Sequence, residues 1–182
     1  MLPLDIRNIR KVAIYVRQID RIKDVSGAIV ECGVWKGKSI FILSALAGEG
    51  REVWGFDSFS GFTVITEFDK REVTEVQHFR DTSKEMVEKF LMMNGVKPAQ
   101  LVQGPFHETL PVNKKKIGKI VLLHFDADLY DSYTACLHEL YDQISSGGVI
   151  IFEEYMNSWK LEQWPGAAEA IDEFFAPLRV AP

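Results

Sequence analysis

Apolar positions change their spacing along this chain, from every third or fourth residue to unbroken short runs, and the changes mark alternating helices and strands. Residues 5–23 put Ile6, Ile9, Ala13, Val16 and Ile19 on one helical stripe. GAIVEC (27–32) predicts a strand, and GKSIFILSALAG (37–48) a helix closed by Gly48. REVWGFD (51–57) alternates and ends on an acid, as a second strand would. Residues 58–80 keep no period and form a long polar and aromatic excursion. Thr82 and Glu85 stand at capping-box spacing before a helix carrying Met86, Val87, Phe90 and Leu91, which Asn94-Gly95 stops. AQLVQG (99–104) is a third strand and, after a Pro-bounded turn, KIVLLHFD (119–126) a fourth. A helix over 131–144 aligns Tyr133, Leu137, Leu140, Tyr141 and Ile144. After SSGG comes a fifth strand, VIIFEE (149–154), and Pro165-Gly166 opens a last helix with Ala168, Ile171, Phe174 and Phe175 inward.

Strands that alternate with helices and stay apolar throughout predict a parallel sheet covered on both faces, a doubly wound α/β fold. At 182 residues, 47% of them hydrophobic, one well-buried domain fits. The division is an N-terminal helix (1–24) followed by the sheet domain (25–182). A net charge of −5 and a pI near 5.4 supply no field toward nucleic acid or an anionic membrane. Lys114-Lys115-Lys116 is the only dense basic run and is expected in a solvated loop before the fourth strand. Cys32 and Cys136 lie inside apolar patterns as buried thiols, too few for a zinc site. No signal-peptide pattern opens the chain and no apolar run approaches the ~18–20 residues of a membrane span, so a cytoplasmic protein is expected.

Open parallel sheets bind ligands beyond the carboxyl ends of their strands, where strand order reverses. Strand one ends on Glu31 and Gly33, strand two on Asp57, strand three on Gly104, strand four on Asp126 and Asp128, and strand five on Glu153 and Glu154. Asp128 is expected to cap the helix that starts near Asp131. His124, inside an apolar strand, is expected to be a satisfied core histidine, and His138 a surface one.

The turn after strand one decides the ligand class. A P-loop places four residues between its first glycine and Gly-Lys-Ser; Gly33 to Gly37 encloses three, and Glu31 and Trp35 suit a polyphosphate poorly. The G-x-G-x-x-G of a dinucleotide turn is absent. What remains is E-x-G-x-x-x-G with an acid, Asp57, ending the next strand. A nucleoside whose ribose hydroxyls meet Asp57, with positive charge rather than phosphate near Glu31, fits that pair. S-adenosylmethionine has that character.

VECGVWKGKS, GFDSFSGF, GPFHETLP, HFDADLYDSY and GGVIIFEEY, followed by PGAAEAIDEFF, together resemble the macrocin O-methyltransferase (TylF-like) family of class I S-adenosylmethionine-dependent methyltransferases. The resemblance runs from about residue 25 to 176. It implies a Rossmann-like fold and methylation of sugar hydroxyls on natural products, with a divalent metal, usually magnesium. By position, Glu31, Gly33, Val34, Trp35 and Gly37 would shape the methionine end of the cofactor pocket, with Ser39 at the following helix start. Asp57, Ser58 and Phe59 would meet the ribose, and Gly104, Pro105 and Phe106 the adenine. Asp126, Glu153 and Glu154 fall on the family's metal carboxylates, with Asp128 the rival ligand to Asp126. The Glu-Glu pair departs from the commoner two aspartates, and Lys38 from a small residue. His78, in the excursion where the family keeps a lid and a basic histidine, would be the general base, with His107 the runner-up.

The chemistry is an in-line displacement in which an acceptor oxygen attacks a methyl held on a sulfonium. Oxygen-only ligands suit a hard ion such as Mg²⁺, which would orient vicinal oxygens of the acceptor and lower a hydroxyl pKa. Phe62, Phe68 and Phe79 would stack on a sugar or macrocycle, or pin the excursion. The family's terminal strand pair is missing or shortened here, which leaves an apolar edge and predicts a homodimer or higher oligomer. A catechol-type methyltransferase and a nucleoside-binding domain without transferase activity are the alternative functions.

Overall fold

The computed structural model describes residues 6–76, 79–97, 99–155 and 158–178. In chain order the elements are α1 (Ile6–Arg21), β1 (Ala28–Cys32), α2 (Lys38–Ala47), β2 (Val53–Asp57), α3 (Arg71–Val76), α4 (Lys84–Met93), β3 (Gln100–Gln103), α5 (Phe106–Ile117), β4 (Ile120–Phe125), α6 (Tyr130–Leu140), β5 (Ile144–Phe152), α7 (Ser158–Gln163) and α8 (Pro165–Phe175). The five strands form one parallel sheet in the order β3-β2-β1-β4-β5, so the strand order reverses between β1 and β4. This is the doubly wound α/β fold expected.

Alternate residues of each strand feed two cores. Val30, Trp54, Phe56, Leu123 and Phe125 pack on Leu110 of α5, Tyr133 and Leu137 of α6, and Ile171 and Phe175 of α8. Ile29, Val53, Leu101 and Leu122 pack on Tyr15 of α1 and Ile22 just after it, Ile40 and Leu43 of α2, and Val87 and Leu91 of α4. Cys32 and Cys136 are buried free thiols.

Several local expectations are corrected. In α1 the packed face runs through Lys11, Val12, Tyr15 and Ile19 and continues to Ile22 in the following turn, whereas Ile9 and Val16 are about half exposed. Tyr15 decides this rotation, because its hydroxyl meets His124 inside the protein at 2.9 Å. The cap of α4 is Ser83, whose Oγ accepts from Met86 N; the Thr82 hydroxyl instead donates to Trp35 O at 2.6 Å. Residues 106–117 are a helix despite Pro111, and the lysine triplet forms its last turn, where cations meet the negative helix end. The fifth strand starts earlier than expected, at Ile144, because α6 ends at Leu140 and only a single 3₁₀ turn follows it.

Asp128 does not cap α6. It sits at φ 62° just before the helix, and the Tyr130 amide donates to Asp69 Oδ1 at 3.0 Å. Asp69 also accepts from the amide and hydroxyl of Thr66, at 2.8 and 2.9 Å. The excursion itself therefore supplies the cap. No helix among the described residues is long and apolar enough to cross a membrane.

Candidate active site

The loop from β1 to α2 is built around backbone groups. Gly33 adopts φ 92° and lies so close to β4 that a Cβ there would overlap the Asp126 carbonyl oxygen. Only glycine serves both demands. Asp57, at the end of β2, fixes the rest: Oδ2 accepts from Val34 N at 2.7 Å and Trp35 N at 2.8 Å, and Oδ1 from Phe59 N at 2.7 Å. Trp35 itself is at φ 45°; its indole N–H donates to Asp81 at 2.8 Å, and Lys36 pairs with the same carboxylate. Its ring meets Phe79 edge-on at 5.1 Å, and Phe79, Phe62 and Trp164 form one aromatic cluster.

This loop, the ends of β2 and β4 and that cluster enclose a cavity of about 490 Å³, within the size range of small-ligand sites. Of the residues proposed from the sequence, Gly33, Val34, Trp35, Ser39, Asp57, Ser58, Phe106 and Asp126 line it. Gly37, at φ 79°, turns the chain into α2 behind the lining, and Phe59 is buried in the core. Gly104 and Pro105 bring α5 to the cavity without facing it, and His107 is exposed beside Glu108 on that helix. His138 is exposed against Phe174, as expected. His78 lies outside the described residues. Asp128, one of the strand-end acids, lines the cavity as well, and so do Lys11, Trp159 and Lys160, to which the sequence pattern did not point.

At the far end, carboxylates gather around two ammonium groups. Lys160 Nζ lies 3.4 Å from Asp126 Oδ1, 3.6 Å from Glu153 Oε1 and 3.3 Å from Glu154 Oε1. Lys11 Nζ lies 3.1 Å from Asp126 Oδ2 and 3.4 Å from Glu153 Oε1. Burial alone would raise the Asp126 carboxyl, but Lys11 and Lys160 hold it well below the usual carboxylate range. Glu154, fully buried and bonded to the Tyr133 hydroxyl, is pushed well above that range by burial and by Asp126. Burial and the Asp126 charge likewise raise Asp128. Ligand atoms of Asp126, Asp128 and Glu154, and separately of His124, Asp126 and Glu153, come within 4.8 Å of one another. Asp126 is the member common to both groups.

Behind Asp126 runs a buried chain. The Tyr15 hydroxyl meets His124 Nε2, and His124 Nδ1 meets Glu31 Oε1, both at 2.9 Å. Glu31 is fully buried and off the cavity lining, and its Oε2 has no partner among the described residues. Burial works against a charge on His124, yet its bonds to Glu153 and Glu31 outweigh that and raise it to about 9. His124 is the satisfied core histidine expected, and it also braces the acids.

Demethyldecarbamoylnovobiocin O-methyltransferase of Streptomyces niveus is 30% identical over 169 residues, covering 87% of this chain and 62% of that protein. A Streptomyces olivaceus protein, 8-demethyl-8-(2,3-dimethoxy-alpha-L-rhamnosyl)-tetracenomycin-C 4'-O-methyltransferase, is 32% identical over 142 residues, covering 72% of this chain and 54% of its own. This chain thus spans less than two thirds of the length of these relatives. Among solved structures, the O-methyltransferase NovP superposes with a TM-score of 0.79 at 25% identity, over 95% of this chain and 74% of NovP. Residues 6–179 match the macrocin-O-methyltransferase (TylF) family, and the chain belongs to that family.

Proposed function

We propose that this protein binds S-adenosylmethionine in the 490 Å³ cavity and transfers its methyl group to a hydroxyl of a sugar-bearing natural product. One observation carries the reading: the loop held by Asp57 and the acid cluster at Asp126 open into the same cavity. Family membership and relatives named as O-methyltransferases, one for a rhamnosyl tetracenomycin, support the reaction and the acceptor class.

A carboxylate offers about four acceptor sites. Backbone amides take three at Asp57, which leaves one for a ribose hydroxyl while the loop stays fixed. The aromatic cluster of Phe62, Phe79 and Trp164 gives the acceptor an apolar wall and excludes water. Asp128 lines the cavity and is placed by position to take the acceptor proton as attack proceeds. His78 is the second candidate for that role. The oxygen donors that converge are those of Asp126, Asp128 and Glu154, which have the chemistry of a Mg²⁺ site, while Glu153 groups with Asp126 and His124 instead. Bound there, Mg²⁺ would supply Lewis-acid polarisation of the acceptor oxygens.

Self-association belongs to the same reading. Ile9 and Val16, seven residues apart on one face of α1, are both exposed, and β5 pairs on one side only among the described residues. Light scattering at micromolar concentration is expected to give at least a dimer mass; a monomer would contradict it.

Calorimetry tests the cofactor: S-adenosylhomocysteine should bind, while ATP and NAD should not. A panel of glycosides and catechols with labelled S-adenosylmethionine then tests the transfer. Tight binding without transfer to any diol would leave a nucleoside-binding domain in place of an enzyme.

A further inference from the structure

All six carboxylate oxygens of Asp126, Glu153 and Glu154 already face a donor. Asp126 Oδ1 faces Lys160 and Oδ2 faces Lys11. Glu153 Oε1 lies between both ammonium groups, and its Oε2 is 3.6 Å from His124 Nε2. Glu154 Oε1 faces Lys160, and Oε2 accepts from Tyr133. The two lysines arrive from helices on opposite sides of the sheet's ligand edge, Lys11 from α1 and Lys160 from α7. Neither is a surface pair, since their side chains are only 21% and 15% exposed.

A hard divalent ion seeks the same oxygens as these ammonium groups. It cannot share them with two cations held at 3–4 Å, because like charges at that separation repel strongly in a half-buried site. We propose that Lys160, assisted by Lys11, is a resident counter-cation of the acid cluster that competes with the divalent ion and sets how much of it the site takes up. The proposal rests on the Mg²⁺ reading given above. Lys160 touches all three acids and Lys11 two, so Lys160 is the stronger competitor.

The geometry also says what must move. Lys160 stands on a six-residue helix, α7, that supplies Trp159, Lys160 and Gln163 to the cavity lining and leads into α8 through Trp164, which lines the cavity too. A shift of α7 that withdrew the Lys160 ammonium from the acids would also move Trp159 and Gln163 in the cavity lining. Cation uptake and acceptor fit are joined through one short helix.

The test needs no turnover. Free Mn²⁺, a paramagnetic substitute for Mg²⁺, is titrated by its solution resonance signal against wild type, Lys160→Met, Lys11→Met and, as a control, Asp126→Asn in the Lys160→Met background. Methionine keeps the length and apolar stem of lysine, and circular dichroism checks each fold. Lys160→Met is expected to bind Mn²⁺ about tenfold or more tightly than wild type, and Lys11→Met about threefold. The Asp126→Asn control should lose that gain. Equal or weaker binding by both lysine variants, with wild type binding well, overturns the competition and leaves the Mg²⁺ reading standing. Absence of binding by every protein overturns both.

Discussion

The two ends of the cavity are held by different means. The end near β1 and β2 is made of backbone: a glycine pressed against a carbonyl, and a carboxylate collecting three peptide amides. The end near β4 and β5 is made of side chains drawn from distant elements, with Lys11, Lys160, His124 and Tyr133 answering three acids. The first is specified by conformation and resists any added atom. The second is specified by charge balance, so it responds to pH, salt and competing ions.

The sharpest way to break the contrast is Gly33→Ala. It adds a methyl against the Asp126 carbonyl at a positive φ, and should cost about 4 kcal/mol or more and abolish S-adenosylhomocysteine binding. Urea denaturation at wild-type stability would show that the backbone end is softer than described. Next comes Asp57→Ala, which removes the acceptor of three amides. About 3 kcal/mol of stability should go, with Asp57→Asn recovering part of it, since hydrogen bonds to charged groups are worth about 1.5–3 kcal/mol and solvent can replace some of them.

The charged end is probed by pH. His124 is raised in the folded protein to about 9, so its contribution is fully present below its ordinary value near 6.5 and is lost as pH rises through 9. Asp128 and Glu154 are raised acids, and they act with the same sign from the ordinary carboxylate range upward. Melting temperature should therefore fall between pH 6.5 and 9, and His124→Gln should flatten that limb while leaving the acid-side slope. A profile unchanged by the substitution would remove His124 from the charge balance. The smallest effect is expected from Thr82→Val. It deletes the hydroxyl donated to Trp35 O and should cost about 1 kcal/mol in the same urea assay.

The contrast also explains what could be read in advance. The strand-end acids and the glycines of the β1–α2 turn follow from local pattern, and the fold brings Gly33, Asp57 and Asp126 to one cavity. Lys11 and Lys160 were invisible because their partners lie 115 and 34 residues away, and no local spacing encodes such pairs. A lysine beside Tyr15 on the inward edge of α1 was the one available hint. Local position makes Asp128 equally a strand-end ligand and a helix cap, and it lines the cavity, while the cap, Asp69, comes from a stretch without periodicity. Helix α5 was hidden by Pro111 and by a lysine run that resembles a loop, although Thr109, Leu110 and Ile117 are buried. The face of α1 was misjudged by counting only apolar residues, since a tyrosine with an internal partner outweighed two aliphatic ones.

Asp69 ties one further property of the molecule to the excursion. The amide at the start of α6 is shielded by a carboxylate borrowed from residues 58–80, and three residues later the same helix presents the Tyr133 hydroxyl to Glu154. Deuterium uptake at Tyr130 should therefore keep time with detachment of the excursion rather than with ordinary fraying of a helix end. The first turn of α6 would then act as a reporter, readable in solution without any ligand, of how often the covering segment lets go.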